Sequence, residues 1–504
     1  MERINRILHI SLKKYKIRIE THKLKRGGEM KRTALIVFLA ILLFGGLSAE
    51  LRIRIRPMNE FEKEISTDGS HLRLGRNPEK LPEADVFEVM EKVEELSSLA
   101  LWPGFEIPEI PVLIYDGLNT YQFHSESRHE GFIPIPDKPE AFMFKGQHPS
   151  VRGNSVVRLD DVWTATSVLS RSSRRTKEKY SIRDMAGIVI HEKFHVFQRL
   201  HHPDWRQNDG LLLIYPPETA ESLFLRRMEK EAFKKGAVAE EAEAAAAWAK
   251  EGLKLREKRL SMVTAPFALY EKELQLTEGL SEYIEKLARG SEPLKSSSIT
   301  DGIAPAGVRD LGYIEGRWIA MILDKLKPDW KLSIENETCE YLEDALRPAA
   351  NAFDATAVFS DEEMIELREA AENDLKQWET DKKRRFEMFY SRPGYKLEID
   401  GSLNPLRIRI FEPLEIEIMG DKQVFHKVIF AAGNDSGRLS IRNHPCVTVF
   451  DESYRIVKIF ITGLEEEPHI EEEKKLFKLD WDGISMEMKY SQARVDEDRF
   501  VFTL

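Results

Sequence analysis

The sequence predicts an α+β protein in two parts, a mixed helical region followed by an all-β C-terminal domain. Three observations carry that expectation. Residues 181–200 read as one long helix; strand-like segments precede it and long helices follow it; and beyond Arg392-Pro393-Gly394 the apolar period drops to two residues. The expected division is 50–390 for the helical domain, with a helical insertion at about 217–265, and 391–504 for a β-rich domain of sandwich form.

Before residue 50 the chain has a different character. The first 32 residues are strongly basic, and 33–49 (TALIVFLAILLFGGLSA) are uncharged and end in small residues. Together they have the layout of a secretory signal peptide cleaved after Ala49, with an uncleaved N-terminal anchor as the runner-up. Gly27-Gly28-Glu29-Met30 is what a purine-rich ribosome-binding site before a start codon looks like when translated, so Met30 is the expected true start. The protein is therefore expected to be exported, and to meet a membrane only through that apolar segment if it stays uncleaved. With 42% hydrophobic and 32% charged residues the chain as a whole has an ordinary globular balance, and its net charge of −11 argues against a nucleic-acid partner. Two cysteines, Cys339 and Cys446, imply neither a disulfide framework nor a cysteine-based metal site.

Taken in order, 51–75 suggest an exposed strand and lead-in, and 84–99 an amphipathic helix with Val86, Val89, Met90, Val93 and Leu96 on its apolar side. Strands are expected at 112–115, 141–144 and 155–159. The long helix follows, started by Ser181 with Asp184 three residues on and ended near Pro203 and Gly210. Two helices, 218–235 and 238–262, break at Gly236; their alanine- and glutamate-rich composition reads as a solvated hairpin. Further helices are expected at 271–287 and 312–326, a Ser/Gly/Pro-rich loop at 290–307, and a highly charged helix from Ser360 to about residue 390. Seven or more short alternating segments, from YKLEI to RFVFTL, complete the chain.

The candidate chemistry lies on the helix at 181–200, which carries His191, Glu192 and His195 in the order His-Glu-x-x-His. Residues four apart sit one turn above each other, so two imidazole nitrogens can meet one metal ion. Glu192, about 100° round the axis, is placed to take a proton from a water activated there. Catalytic zinc uses three protein ligands, which leaves one to find. Candidates are His201, Asp204 or Asp209 close behind, and Glu278 on a later helix. His201 has metzincin spacing, but that motif requires a glycine where this chain has Gln198, which does not readily make the left-handed turn.

The segment Glu278–Glu285, EGLSEYIE, resembles the Glu-Gly-x-Ala-x-Tyr-x-Glu of the gluzincin metallopeptidases, above all their aminopeptidase branch. Tyr313-Ile314-Glu315-Gly316 resembles the Tyr-x-x-Gly heading the next helix in that branch. The resemblance covers residues 181 to about 326. It implies a zincin-like domain with one zinc ion held by His191, His195 and Glu278, Glu192 as general base, and the Tyr313 hydroxyl on the oxyanion. One turn beyond Glu278, Glu282 is positioned to accept a hydrogen bond from the far nitrogen of a histidine ligand. The interval from His195 to Glu278 is longer than in those aminopeptidases, and their Gly-x-Met-Glu-Asn segment is absent, so the resemblance reaches the hydrolytic centre and not the aminopeptidase specificity. His124 and His129 read as surface histidines of a loop. The expected function is an exported zinc peptidase acting on a peptide or protein; the alternative is a catalytically silent protein of peptidase fold serving as an envelope scaffold.

Overall fold

The helical region begins as a six-stranded sheet backed by helices. In a computed structural model that describes residues 80–172, 179–290, 302–420 and 422–504, helix α1 (Glu83–Ser97) is followed by β1 (Val112–Tyr115), β2 (Asn119–Phe123), β3 (Ile133–Ile135), β4 (Lys138–Lys145), β5 (Ser155–Leu159) and β6 (Val162–Val168). The leader, its apolar run, the strand expected at 51–75 and most of the 290–307 loop lie outside the described residues. Strand order is β3-β4-β2-β1-β6-β5, antiparallel except for the β1–β6 pair. Strand β5 is therefore an edge. The apolar stripe of α1 (Val86, Val89, Met90, Val93) and that of helix α2 (Ile182–His201) share one core with Val112, Ile114, Tyr121 and Ala165 of the sheet. Burial of these stripes fixes the rotation of α2 about its axis.

Next come α3 (Ala220–Val238), α4 (Ala242–Leu260) and α5 (Ala265–Leu274), a single π turn (Gln275–Gly279), α6 (Leu280–Arg289), α7 (Ala306–Leu326), α8 (Trp330–Glu335), α9 (Leu342–Asn351) and the long α10 (Asp361–Tyr390). Two expectations are corrected here. The break between α3 and α4 falls at residues 239–241, and Gly236 is helical: a Cβ there would come within 2.9 Å of the Ile322 side chain and 3.3 Å of the Ala245 carbonyl. The hairpin is also not solvated, since Ala245, Ala246 and Ala249 are fully buried. Alanine supplies small side chains that let helices approach closely, so an alanine-rich composition is as consistent with tight packing as with solvation.

Buried among these helices is a network of charges. Glu229 accepts from Arg256 Nε (2.7 Å) and Arg259 Nε (2.6 Å). Arg259 grips Glu271 with two parallel bonds, 2.9 and 2.7 Å. Arg256 also donates to Gln275 Oε1 (2.8 Å) and Glu315 Oε2 (3.1 Å), and Gln275 Nε2 donates to the same Glu315 oxygen (3.0 Å). The network thus ties α3, α4, α5 and α7 to the π turn. Its geometry offsets the cost of burying charge, and removal of one partner leaves another uncompensated.

From α10 the chain enters the C-terminal region through Arg385, paired with Glu417 (3.1 Å), and Phe389, packed edge-on to Phe425. Thirteen strands, β7 (Tyr395–Asp400) to β19 (Arg499–Thr503), form a seven-stranded and a six-stranded sheet. Pairing is antiparallel throughout except for β7 with β19. Residues of both sheets, among them Ile399 and Ile461 on one and Ile441, Phe477 and Met486 on the other, belong to one core, which makes the expected all-β region a sandwich. That core also takes Leu212, Tyr215, Tyr270 and Leu274 from the helical region, so the sandwich supports α5 directly.

The Glu271 carboxyl illustrates how the network sets stability. Burial alone would raise it, but Arg259 and Arg226 overcome that effect and bring it to about 2 from an ordinary 4.5. Its ion pairs therefore contribute fully above pH 4.5 and are lost progressively as the pH falls towards 2. Glu271→Gln is expected to cost about 3–5 kcal/mol near neutrality and to flatten this acid limb, as measured by urea unfolding across pH.

Candidate metal centre

Helix α2 starts with the expected capping box: Ser181 Oγ accepts from the Asp184 amide (3.2 Å) and Asp184 Oδ2 from the Ser181 amide (2.8 Å). Ten and fourteen residues after Ser181, His191 and His195 project from the face opposite the apolar stripe of Met185, Ala186, Val189 and Ile190. Their Nε2 atoms stand 3.2 Å apart, and Glu278 Oε2 lies 3.1 Å from His195 Nε2 and 3.9 Å from His191 Nε2. Among the described residues these three make one of two groups able to hold a metal ion. A tetrahedral ion with bonds of about 2.0–2.1 Å needs donors about 3.3 Å apart, and the observed triangle brackets that value.

Two of the three donors are aimed by neighbours. His195 Nδ1 donates to Gln198 Oε1 (2.8 Å), an assignment of the tautomer from its partners, which leaves Nε2 a free lone pair. Gln198 Nε2 in turn donates to the Thr277 carbonyl (3.0 Å) in the π turn. One glutamine therefore joins the helix of the two histidines to the turn that carries Glu278. On the carboxylate, Arg309 Nη2 (2.9 Å) and Gln207 Nε2 (3.1 Å) both donate to Oε1, and Oε2 is left to face the histidines.

The position of Glu278 depends on backbone contact. The π turn is pressed against α7: a Cβ on Gly279 would lie 2.6 Å from Gly316 Cα, and one on Gly316 only 2.7 Å from the Gln275 carbonyl oxygen. No side chain fits at either place. Wide turns of this kind inside α-helices recur at functional sites, because the extra residue re-aims the side chains around it.

Electrostatically the pocket calls for positive charge. Burial alone would depress the His191 imidazolium, yet contact with Glu285 and the nearby Glu192 raise it to about 9. Burial tends to raise the Glu278 carboxyl, but His195 and Arg309 hold it well below the usual carboxylate range. Without the His191 proton, two imidazole lone pairs and a carboxylate oxygen converge on one point, so a divalent ion of borderline softness fits the residues present in the proton's place.

The remaining predicted residues fall as follows. Glu192 is buried beside the triad, no group among the described residues hydrogen-bonds it, and burial raises its carboxyl. Tyr313 stacks its ring on His191 (centroids 6.4 Å, 15°) and accepts from Arg309 Nη2 (3.4 Å). Its phenol is raised well above its usual value by burial, with Arg309 opposing and Glu278 adding. The contact expected of Glu282 is made by Glu285, whose Oε2 lies 3.2 Å from His191 Nδ1, off the line of a hydrogen bond. Arginines decide this: Arg289 holds Glu285 (2.8 Å) and also reaches Asp184 (2.8 Å), whereas Arg317 draws Glu282 away (3.1 Å). His191, Glu282 and Glu285 form the second group, on the other side of the same imidazole.

His201, at the exposed end of α2, stacks on Phe197, and Asp209 pairs with Arg309 and accepts from Tyr270 (3.0 Å); neither joins the triad. His129 is buried and its Nδ1 meets the exposed Asp160 (2.7 Å), and His124 meets Lys193 (2.6 Å), so neither is a free loop histidine. Sequence reasoning missed Arg309, Gln198 and Glu285. Arg309 and Gln198 are signalled only by their spacings, four before Tyr313 and three after His195, whereas Glu285 is the last glutamate of the EGLSEYIE segment, seven after Glu278.

No family model, curated protein or solved structure matches the chain. If Gln198 aims His195 as described, Gln198→Ala should weaken divalent-metal affinity by about 10–100-fold without unfolding the protein, as read by competition with a chelator.

Proposed function

We propose that the protein is a zinc-dependent peptidase of gluzincin type. The observation that carries this is the convergence of His191 Nε2, His195 Nε2 and Glu278 Oε2 within 3.1–3.9 Å, with the buried Glu192 carboxylate beside them. Two imidazoles and one carboxylate are a known ligand set of catalytic zinc. Bound there, zinc supplies Lewis acidity, polarising the scissile carbonyl and acidifying the attacking water.

The chain's own residues do the rest. Glu192 takes the proton of the attacking water and delivers it to the departing amine. The Tyr313 hydroxyl donates to the carbonyl oxygen as negative charge develops; Arg309, bonded to it and to Glu278, keeps it in place. Among the described residues one side of strand β5 is unpaired, and it offers backbone groups to an extended peptide. This fits a polypeptide substrate better than a small ester or a nucleotide.

Glu192→Gln should keep its zinc and lose peptide hydrolysis by at least about 100-fold, measured by metal analysis and a peptide-library digest; unchanged turnover excludes the assigned base. Loss of zinc in Glu278→Ala is the companion result. The reading of 33–49 as a signal peptide makes the enzyme an exported one, and N-terminal sequencing of the mature protein is expected to begin at Glu50.

A further inference from the structure

A cavity at the start of β5 reaches onto the sandwich. Its volume is about 470 Å3, and it is lined on one side by Ser155 of β5 and by Met185 and Ile188 of α2, and on the other by Ile410, Ala431 and Arg442 of the six-stranded sheet. Ile188 is one turn before His191 and Glu192, so this cavity opens along the same helix face as the metal centre. It runs into a groove of about 1130 Å3 over the outer face of that sheet, and Arg152, Ile410, Ala431 and Arg442 line both.

The groove has a definite chemistry. Its floor is made of small residues, Ala431, Gly433, Ser440 and Ser485, which leave a trough between strands. Its rim carries Arg152, Arg409, Arg438, Arg442, Lys478 and Lys489 against Asp480 and Glu487. Lys478 is paired with Glu471 (3.0 Å), but Arg152, Arg409, Arg438, Arg442 and Lys489 have no ion pair among the described residues. A local excess of positive charge on a chain of net charge −11 runs against the average of the surface.

We propose that this groove docks carboxylate-rich stretches of a polypeptide substrate whose backbone then lies along β5 into the metal centre. The proposal rests on the peptidase reading and adds its substrate class. An acidic polypeptide matches both halves of the surface: guanidinium groups pair with carboxylates, and the free edge of β5 pairs with a backbone. The negative charge of the whole chain disfavours a long polyanion extending beyond the basic rim.

The test uses full-length Glu192→Gln protein, which leaves substrate uncut, and labelled peptides rich in Glu or, residue for residue, in Gln. At low salt the Glu peptide is expected to bind about tenfold more tightly, with the difference shrinking as salt rises. The preference should vanish when Arg409→Ser, Arg438→Ser and Arg442→Ser are combined, and should survive the combination of Arg409→Lys, Arg438→Lys and Arg442→Lys. Equal binding of the two peptides, or an undiminished preference when Arg409→Ser, Arg438→Ser and Arg442→Ser are combined, overturns the proposal. So does a sulfated polysaccharide that binds where the Glu peptide does not. Hydrolysis by the unaltered enzyme separates the two readings: cleavage without acidic preference sinks the docking site alone, and acidic preference in binding without any cleavage sinks the peptidase alone.

Discussion

The candidate centre depends on one backbone contact, the seating of the π turn at Gln275–Gly279 on Gly316 of α7. Two helices can approach this closely only where both lack a Cβ, and here Gly279 faces Gly316 at 2.6–2.7 Å from any added carbon. The contact decides the level at which Glu278 emerges opposite α2. A helix displaced outward by the width of one methyl group would carry the carboxylate away from the two imidazoles, and a tetrahedral site tolerates little of that.

Around this contact the protein concentrates its buried polar groups. Gln275, at the start of the turn, is held by Arg256 and Glu315, and through them by Glu229, Arg259 and Glu271. Gln198 reaches the turn from the other side. Hydrophobic burial brings α5, α6 and α7 together but is indifferent to small slides; hydrogen-bonded charge pairs are directional and costly to leave unmade, and so they specify one register. The helical hairpin between His195 and Glu278 has a physical purpose in this arrangement, since α3 and α4 bring three of the charged residues, Glu229, Arg256 and Arg259.

Much of the fold was legible from local pattern. The strands at 112–115 and 155–159 and the helix at 181–200 follow directly from apolar period, capping residues and β-branched runs, and the change of period after residue 394 marks the sandwich. The hairpin shows where such reasoning fails: an alanine-rich, charge-rich helix has the same composition whether its charges meet water or each other. Only the partners, tens of residues away in sequence, distinguish the two. Glu282 and Glu285 present the same difficulty at the site, because both lie on the α6 face turned to α2, and Arg289 and Arg317 decide which carboxylate meets His191.

By itself, then, the sequence determined the local geometry: two histidines four residues apart on one helix face, a carboxylate beside them, and a later Glu-Gly pair. These are short-range consequences of helical periodicity, which needs no knowledge of the rest of the chain. The tertiary structure decided everything that depends on packing between distant segments: that Glu278 Oε2 stands 3.1 Å from His195, that Arg309 and Gln207 hold its other oxygen, and that a basic trough on the sandwich adjoins the cavity between β5 and α2. Those relations are set by close backbone approach and buried charge pairing, and no spacing within one helix encodes them.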